Sequence, residues 1–272
     1  MVSGCVITAG CDLSAGRMIG FGACISGMLL QRMDYSGKFF PDMQPLNVFV
    51  VALIAMLVCA AFGTVTGFFI AYLNVPPFIA TLAMMEIVYG IGLIVTNATP
   101  LGGYVEQYTN VSNGKFLGIN YLIWIAIIVA AITWFIFNMT RHGKYMYAIG
   151  GNPQAAEVAG VPVKATLILI YMKAAAMYGL AGFMLGAKAG GASVQTGYGY
   201  EMEAIAACTI GGVSVTGGRG KVSSAIIGVA VFELLKVALQ YLGMNANAQY
   251  IAIGVVIFIA ISLDIRKYIA RK

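Results

Sequence analysis

Along the chain, apolar residues gather in long blocks separated by short polar breaks. The blocks are Leu13–Gln31, Asn47–Leu73, Phe78–Thr96, Asn120–Asn138, Thr166–Ala187, Val222–Leu242 and Gln249–Leu263. Each approaches or exceeds the about 20 residues that a helix needs to cross a bilayer. A further piece, Ala204–Val215, is too short. At about 1.5 Å per residue it covers about 18 Å of a hydrocarbon core about 30 Å thick. It predicts a half-span that ends in the run Gly211, Gly212, Gly217, Gly218 and Gly220. A broken helix at membrane depth has to be buried among other helices or line a cavity, as it does in transporters and channels. The expected fold is an all-α polytopic membrane protein of about seven full spans plus this broken helix.

Composition agrees. Hydrophobic residues make up 60% of the 272 and charged residues only 10%, with a mean hydropathy of +0.88. Soluble domains carry about 25% charge, so a soluble enzyme or binding module is excluded as the expectation. Cys5, Cys11, Cys24, Cys59 and Cys208 lie scattered in apolar surroundings, without the spacing of a disulfide framework or a zinc site. No cleavable signal peptide opens the chain. Met1–Cys11 is an apolar stretch that stops at Asp12 and reads as the tail of a span whose beginning is absent.

The net charge of +6 orients the stack rather than pointing to nucleic acid. If the loop Thr140–Ala165 and the C-terminal Arg266, Lys267, Arg271 and Lys272 are cytoplasmic, alternation leaves ten basic residues inside. Only Arg32, Lys38, Lys115 and Lys188 fall outside. That bias is the positive-inside pattern, and it assigns Arg32–Leu46 and Asn97–Ile119 to polar, turn-rich outer loops.

Enzymatic signatures are missing. His142 is the only histidine and sits on a basic loop. Gly217-Gly218-Arg219-Gly220-Lys221 resembles a phosphate loop superficially, but Val222 follows the lysine and Val215 holds the first glycine position. No catalytic residue, metal site or cofactor is assigned.

The loop Gly150-Gly151-Asn152-Pro153-Gln154-Ala155-Ala156-Glu157-Val158-Ala159-Gly160 reads as a short bounded helix. Asn152 suits the N-cap, Pro153 the first turn and Gly160 the left-handed closing position, with Glu157 near the positive end. It is either an interfacial connector or a docking element, with Ala155, Ala156 and Ala159 permitting close approach. Asp12, Ser14 and Arg17 open a span, as a cap with a snorkelling arginine or as a gate or dimer contact. Gly212, Ser214 and Arg219 echo them before Val222, as a duplicated core would.

Charges inside spans cost about 2.5–3.5 kcal/mol each at the bilayer centre. Glu233 and Lys236 are three apart and can pair. Glu86 and Lys173 have no local partner, so they are expected to face the bundle interior, paired with each other or lining a path. Glu201 and Glu203 suit the start of the half-span. Gly63, Gly67, Gly179, Gly182 and Gly186 permit close helix crossings.

Three stretches carry a resemblance: Gly10–Arg17, Tyr147 through Gly160, and Ala204-Ile205-Ala206-Ala207-Cys208 through Gly212. Together they resemble the membrane subunits of bacterial ribose/xylose/galactose-type ABC importers. The galactose branch is nearest, on Ala71-Tyr72-Leu73-Asn74-Val75 and Leu263-Asp264…Lys267-Tyr268. The resemblance covers essentially the whole chain. It implies a single permease domain over 1–272 in a bacterial inner membrane with a cytoplasmic C-terminus, lacking the first one to two of about ten spans. It implies a homodimeric pore, an outside sugar-binding protein (periplasmic or lipid-anchored) and a separate ATPase that holds the ATP.

By that resemblance Gly150, Gly151, Asn152, Pro153, Ala155, Ala156, Glu157 and Gly160 would engage the ATPase. Asp12, Ser14, Arg17, Gly211, Gly212 and Ser214, with Glu86 and Lys173, would serve gate, path or dimer contact. Glu86, Lys173, Glu233 and Lys236 depart from the uncharged residues expected at their positions. The competing readings are a proton- or ion-coupled secondary transporter and a purely structural membrane protein.

Overall fold

The computed structural model describes residues 1–269, without the side chains of 246, 263–265 and 267–269. The basic tail at Arg271 and Lys272, and the side chains of the Leu263-Asp264…Lys267-Tyr268 pattern, lie outside the described part. In chain order the elements are α1 (Val2–Ile7), α2 (Ala15–Leu29), α3 (Val48–Tyr72), α4 (Pro77–Thr96) and α5 (Glu106–Asn113). A hairpin of β1 (Lys115–Phe116) and β2 (Ile119–Asn120) follows, paired antiparallel with Lys115 opposite Asn120. Then come α6 (Tyr121–Met139), α7 (Arg141–Gly151), α8 (Pro153–Val158), α9 (Val163–Ala189), α10 (Tyr200–Ile210), α11 (Val222–Tyr241) and α12 (Ala246–Ile269). The chain is an all-α polytopic membrane protein.

Among the described residues five helices, α3, α4, α6, α9 and α11, are long and apolar enough to cross a membrane. The block expected at Leu13–Gln31 forms a helix of only 15 residues, α2, and the last block lies within α12, whose apolar stretch is Asn247–Ser262. The half-span is displaced. Its helix α10 begins four residues before Ala204 and ends at Ile210, so residues 211–221 are non-helical, as are 190–199 before it. Local chemistry sets the other starts. Asn47 Oδ1 accepts the Phe49 amide at 2.9 Å to open α3, and the pair Pro76-Pro77 opens α4.

The chain divides into two compact units. One comprises Asp12–Ala131 and Leu167–Glu201. At its centre lies α2, buried on all sides except at Arg17 and Leu29, as befits a helix that is apolar all round. The glycines of α9 bring it onto its neighbours. A Cβ at Gly179 would strike the Ala55 carbonyl of α3, and one at Gly182 would stand 2.7 Å from the Ala23 nitrogen of α2. Gly63 and Gly67 of α3 meet Tyr171, Ala175 and Ile168 of α9 just as tightly. The expected close crossings are therefore present. The stretch 97–119, expected to be a turn-rich outer loop, contains α5 and most of the hairpin. Tyr108 donates to the Phe183 carbonyl at 2.6 Å and Ser112 to that of Ala187 at 3.1 Å, fastening α5 over α9.

The other unit comprises Val2–Cys11, Ile132–Thr166 and Met202–Lys272. Here α10, α11 and α12 share a core of Ala206, Ala207, Phe232 and Ile253. Gly228 of α11 presses on the Ala207 carbonyl and would place a Cβ 2.7 Å from the Gly211 nitrogen, so the broken helix is clamped to α11 backbone to backbone. Apolar side chains left outside these packings, such as Ile227, Leu234 and Phe258, suit a lipid surface.

Candidate functional site

The rod anticipated between Asn152 and Gly160 is α8. Asn152 Oδ1 accepts the Ala155 amide at 3.0 Å, Pro153 occupies the first turn, and Gly160 adopts φ +83°. The Gly160 amide donates to the Glu157 carbonyl and the Val161 amide to that of Ala156, both at 3.0 Å. These two bonds form the Schellman closure that a left-handed glycine permits. Ala156 alone is buried, whereas Ala155, Glu157 and Ala159 are exposed and Val158 is 90% exposed. The expectation that Ala156 faces a partner is thereby corrected. It seats the rod on its own protein, and Val158, two residues on and therefore on the opposite face, is the apolar knob left open.

The preceding helix α7 is not foreseen by the sequence pattern, because Gly143, Gly150 and Gly151 read as loop. Thr140 caps it by accepting the Gly143 amide at 3.3 Å, and Met146 and Ile149, three apart, bury one face. At Gly150 the reason for glycine is close approach. A Cβ there would press on the Ile7 carbonyl oxygen and lie 2.5 Å from the Gly218 nitrogen.

Three segments thus meet at a joint made mostly of backbone. The Gly218 amide donates to the Ile7 carbonyl at 2.7 Å, capping α1, and the Tyr147 hydroxyl donates to the Gly220 carbonyl at 2.8 Å. Burial raises the Tyr147 phenol above its ordinary range, so it remains a proton donor at neutral pH. Inside the 211–220 loop the Ser214 amide donates to the Arg219 carbonyl at 3.1 Å, and the Ser214 and Thr216 hydroxyls lie 2.9 Å apart. The loop beyond α10, carrying Gly211, Gly212 and Ser214, is therefore hydrogen-bonded to the end of α1 and to α7, which leads directly into α8.

In the other unit Asp12 and Ser14 do come together, with a different partner from the one expected. The buried Asp12 carboxylate accepts the Ser14 amide at 3.0 Å, the Ser14 hydroxyl at 2.6 Å and the Tyr178 hydroxyl at 3.1 Å. Arg17 turns away from it. Its guanidinium carbon lies 4.1 Å from the Tyr89 ring centre and 4.7 Å from that of Tyr198. Its Nη1 donates to the Val194 carbonyl at 3.2 Å and to Gln195 Oε1 at 2.9 Å, and Gln195 Nε2 donates to the Tyr89 hydroxyl at 3.0 Å. Tyr89, Gln195 and Tyr198 gave no signal in the sequence, since the last two lie about 180 residues from Arg17 along the chain.

Glu86 and Lys173 are expected to face the bundle interior, paired or lining a path, and the inward position fails for Glu86. The buried positions of α4 are Ala80, Thr81, Met84, Val88, Gly92 and Thr96, and Glu86 falls off that stripe and is exposed. Lys173 is half-buried, and among the described residues no ion pair joins the two. Lys236 does reach Glu233, at 3.4 Å, yet its shorter bond of 2.9 Å runs to Glu203 of α10. The pairing is a three-group bridge between α10 and α11, and Glu203 belongs to it.

A family model described as the branched-chain amino acid transport system / permease component matches residues 5–261. The galactose/methyl galactoside import permease of Escherichia coli K12 is 41% identical over 278 residues, covering 100% of this chain and 83% of the relative. The corresponding permease of Haemophilus influenzae Rd is also 41% identical over 278 residues, with the same coverage. The ribose import permease of Escherichia coli K12 is 32% identical over 266 residues, 96% of this chain and 79% of the relative. No solved structure matches the chain significantly.

Proposed function

This chain belongs to the permease family of ABC importers, and on that premise we propose that two copies of it form the pore of a monosaccharide importer. A galactoside is the favoured solute, because the relatives of 41% identity are named for galactose and methyl galactoside import. ATP is bound and hydrolysed by a separate cytoplasmic ATPase, and a sugar-binding protein delivers solute to the outer loops Arg32–Leu46 and Asn97–Ile119. Gly150–Gly160 and the C-terminus then lie on the cytoplasmic side.

The observation that carries the reading is the rod α8 with its open knob. Val158 is 90% exposed while Ala156 anchors the rod, and α7 ties the rod to the 211–220 loop through the Gly150, Ile7 and Gly218 contact. A push on Val158 therefore has a short covalent and hydrogen-bonded route to the end of the broken helix. Such a route is what a nucleotide-driven partner needs in order to bias a two-state pore.

The test is co-purification and uptake with the ATPase and binding protein in proteoliposomes. Val158→Arg and Gly160→Pro are expected to abolish ATP-dependent uptake and retention of the ATPase while leaving insertion unchanged. Full uptake in both variants removes the docking role. Uptake that runs without any ATPase and is lost in Glu86→Gln would establish the secondary-transporter alternative instead.

A further inference from the structure

The Arg17 cluster has the composition of a carbohydrate contact: two tyrosine rings, an amide and a cation. Nη1 donates the hydrogen bonds described above, and the buried Glu201 carboxylate lies against Gly16, the residue before Arg17. The buried Nε has no acceptor. Tyr198 is 67% exposed, Gln195 is exposed, and Arg17 and Tyr89 are half-buried. The patch thus offers an open aromatic face, an amide and a cation whose position is fixed by two rings and a backbone carbonyl.

Its setting indicates that the open side is wet. Residues 190–199 lie along α2 without helical backbone. A Cβ at Gly20 would strike the Thr196 carbonyl, one at Gly16 would lie 2.5 Å from the Gly197 carbonyl, and one at Gly92 would lie 2.9 Å from the Val194 side chain. Irregular backbone and a guanidinium both need protein or water around them rather than lipid, and the exposed side of this cluster, at Gln195 and Tyr198, is where water fits. Arg17 is also one of only two residues of α2 that are not buried.

We infer that Arg17, Tyr89, Gln195 and Tyr198 form a weak subsite for an uncharged pyranose on the translocation path. A pyranose presents C–H bonds on one face, which stack on an aromatic ring, and hydroxyls around its rim, which accept from guanidinium and amide donors. The guanidinium is already balanced by two ring faces, so the subsite does not call for an anionic sugar. Conduction requires such a contact to be favourable yet easily left. The inference rests on the sugar-import reading and adds to it a point of contact within the permease itself.

The test is saturation-transfer NMR on the full chain assembled with its ATPase in nanodiscs, without the binding protein. Methyl β-galactopyranoside at millimolar concentration is the probe. Transfer to the pyranose ring protons is expected in the unmodified protein and in Tyr198→Phe. A loss of at least fivefold is expected in Tyr198→Ala and in Gln195→Ala, whose side chains are exposed enough that folding is preserved. Equal transfer in all variants, or none in the unmodified protein, overturns the subsite. Stronger transfer to methyl galactopyranosiduronate, the carboxylate analogue, overturns its assignment to an uncharged sugar. ATPase stimulation by sugar-loaded binding protein, measured on the same unmodified sample, reports the importer reading separately. Normal stimulation without saturation transfer sinks the subsite alone, and absent stimulation sinks the reading beneath it.

Discussion

Substituting Gly150 with alanine probes the joint between α7, α1 and the 211–220 loop without touching the exposed surface of α8. The new Cβ would press on the Ile7 carbonyl and stand 2.5 Å from the Gly218 nitrogen, whereas side-chain carbons do not approach a neighbour within 3.0 Å. Both obstructing atoms are backbone, so relief requires the Gly218 amide to part from the Ile7 carbonyl, now 2.7 Å away. Stranding such a buried pair costs about 1–3 kcal/mol. Alanine returns up to about 1 kcal/mol through its better helix propensity in α7. The balance, about 1–2 kcal/mol against the closed joint, amounts to about a 5–30-fold change in its population.

The assay measures phosphate release and radiolabelled sugar uptake in the same proteoliposomes. Gly150→Ala is expected to lower sugar moved per ATP by that factor, while the ATPase still co-purifies with the permease. Tyr147→Phe removes only the bond to the Gly220 carbonyl and is expected to give a smaller fall of the same kind, about fivefold for about 1 kcal/mol. Undiminished stoichiometry in Gly150→Ala and in the bulkier Gly150→Val would refute transmission through this joint.

Other perturbations test neighbouring features. Asn152→Ala removes the cap of α8 and is expected to cost about 1 kcal/mol of rod stability, read as weaker ATPase retention in a salt-independent pull-down. Asp12→Ala removes a buried acceptor of the Ser14 amide and hydroxyl and of the Tyr178 hydroxyl. It should lower the thermal midpoint in detergent, whereas Asp12→Asn, which keeps an acceptor for Ser14, lowers it less. Lys236→Met and Glu203→Gln should each reduce thermal stability, and the double variant should lose less than the sum. The coupling is on the order of 0.5–1 kcal/mol, because both groups are partly exposed.

What the sequence makes legible here is local. Asn152, Pro153 and Gly160 announce a bounded helix because cap, first turn and closing glycine act within nine residues, and the structure reproduces each role. Apolar blocks likewise announce spans, because a bilayer demands length before it demands partners. Arg17 shows the limit. Its nearest acidic neighbour in sequence, Asp12, is taken by Ser14 and Tyr178, and the groups that hold the guanidinium come from α4 and the 190–199 segment. Lys236 fails in the same way, with Glu233 visible at three residues and the shorter contact to Glu203 hidden 33 residues away. Glu86 misleads for a different reason. The cost of burying a charge says nothing of helix phase, and the buried stripe of α4, through Thr81, Met84 and Val88, passes Glu86 by.

Cys5, Cys24, Cys59 and Cys208 are buried, and none of the five cysteines is in a disulfide. Alkylating dyes will therefore find the native protein nearly inert, with Cys11 as the single half-open exception. In a Cys11→Ser background, cysteines introduced at exposed positions away from α8 would then take label selectively, so probes can be placed for turnover measurements without first stripping the helical core of its sulfur.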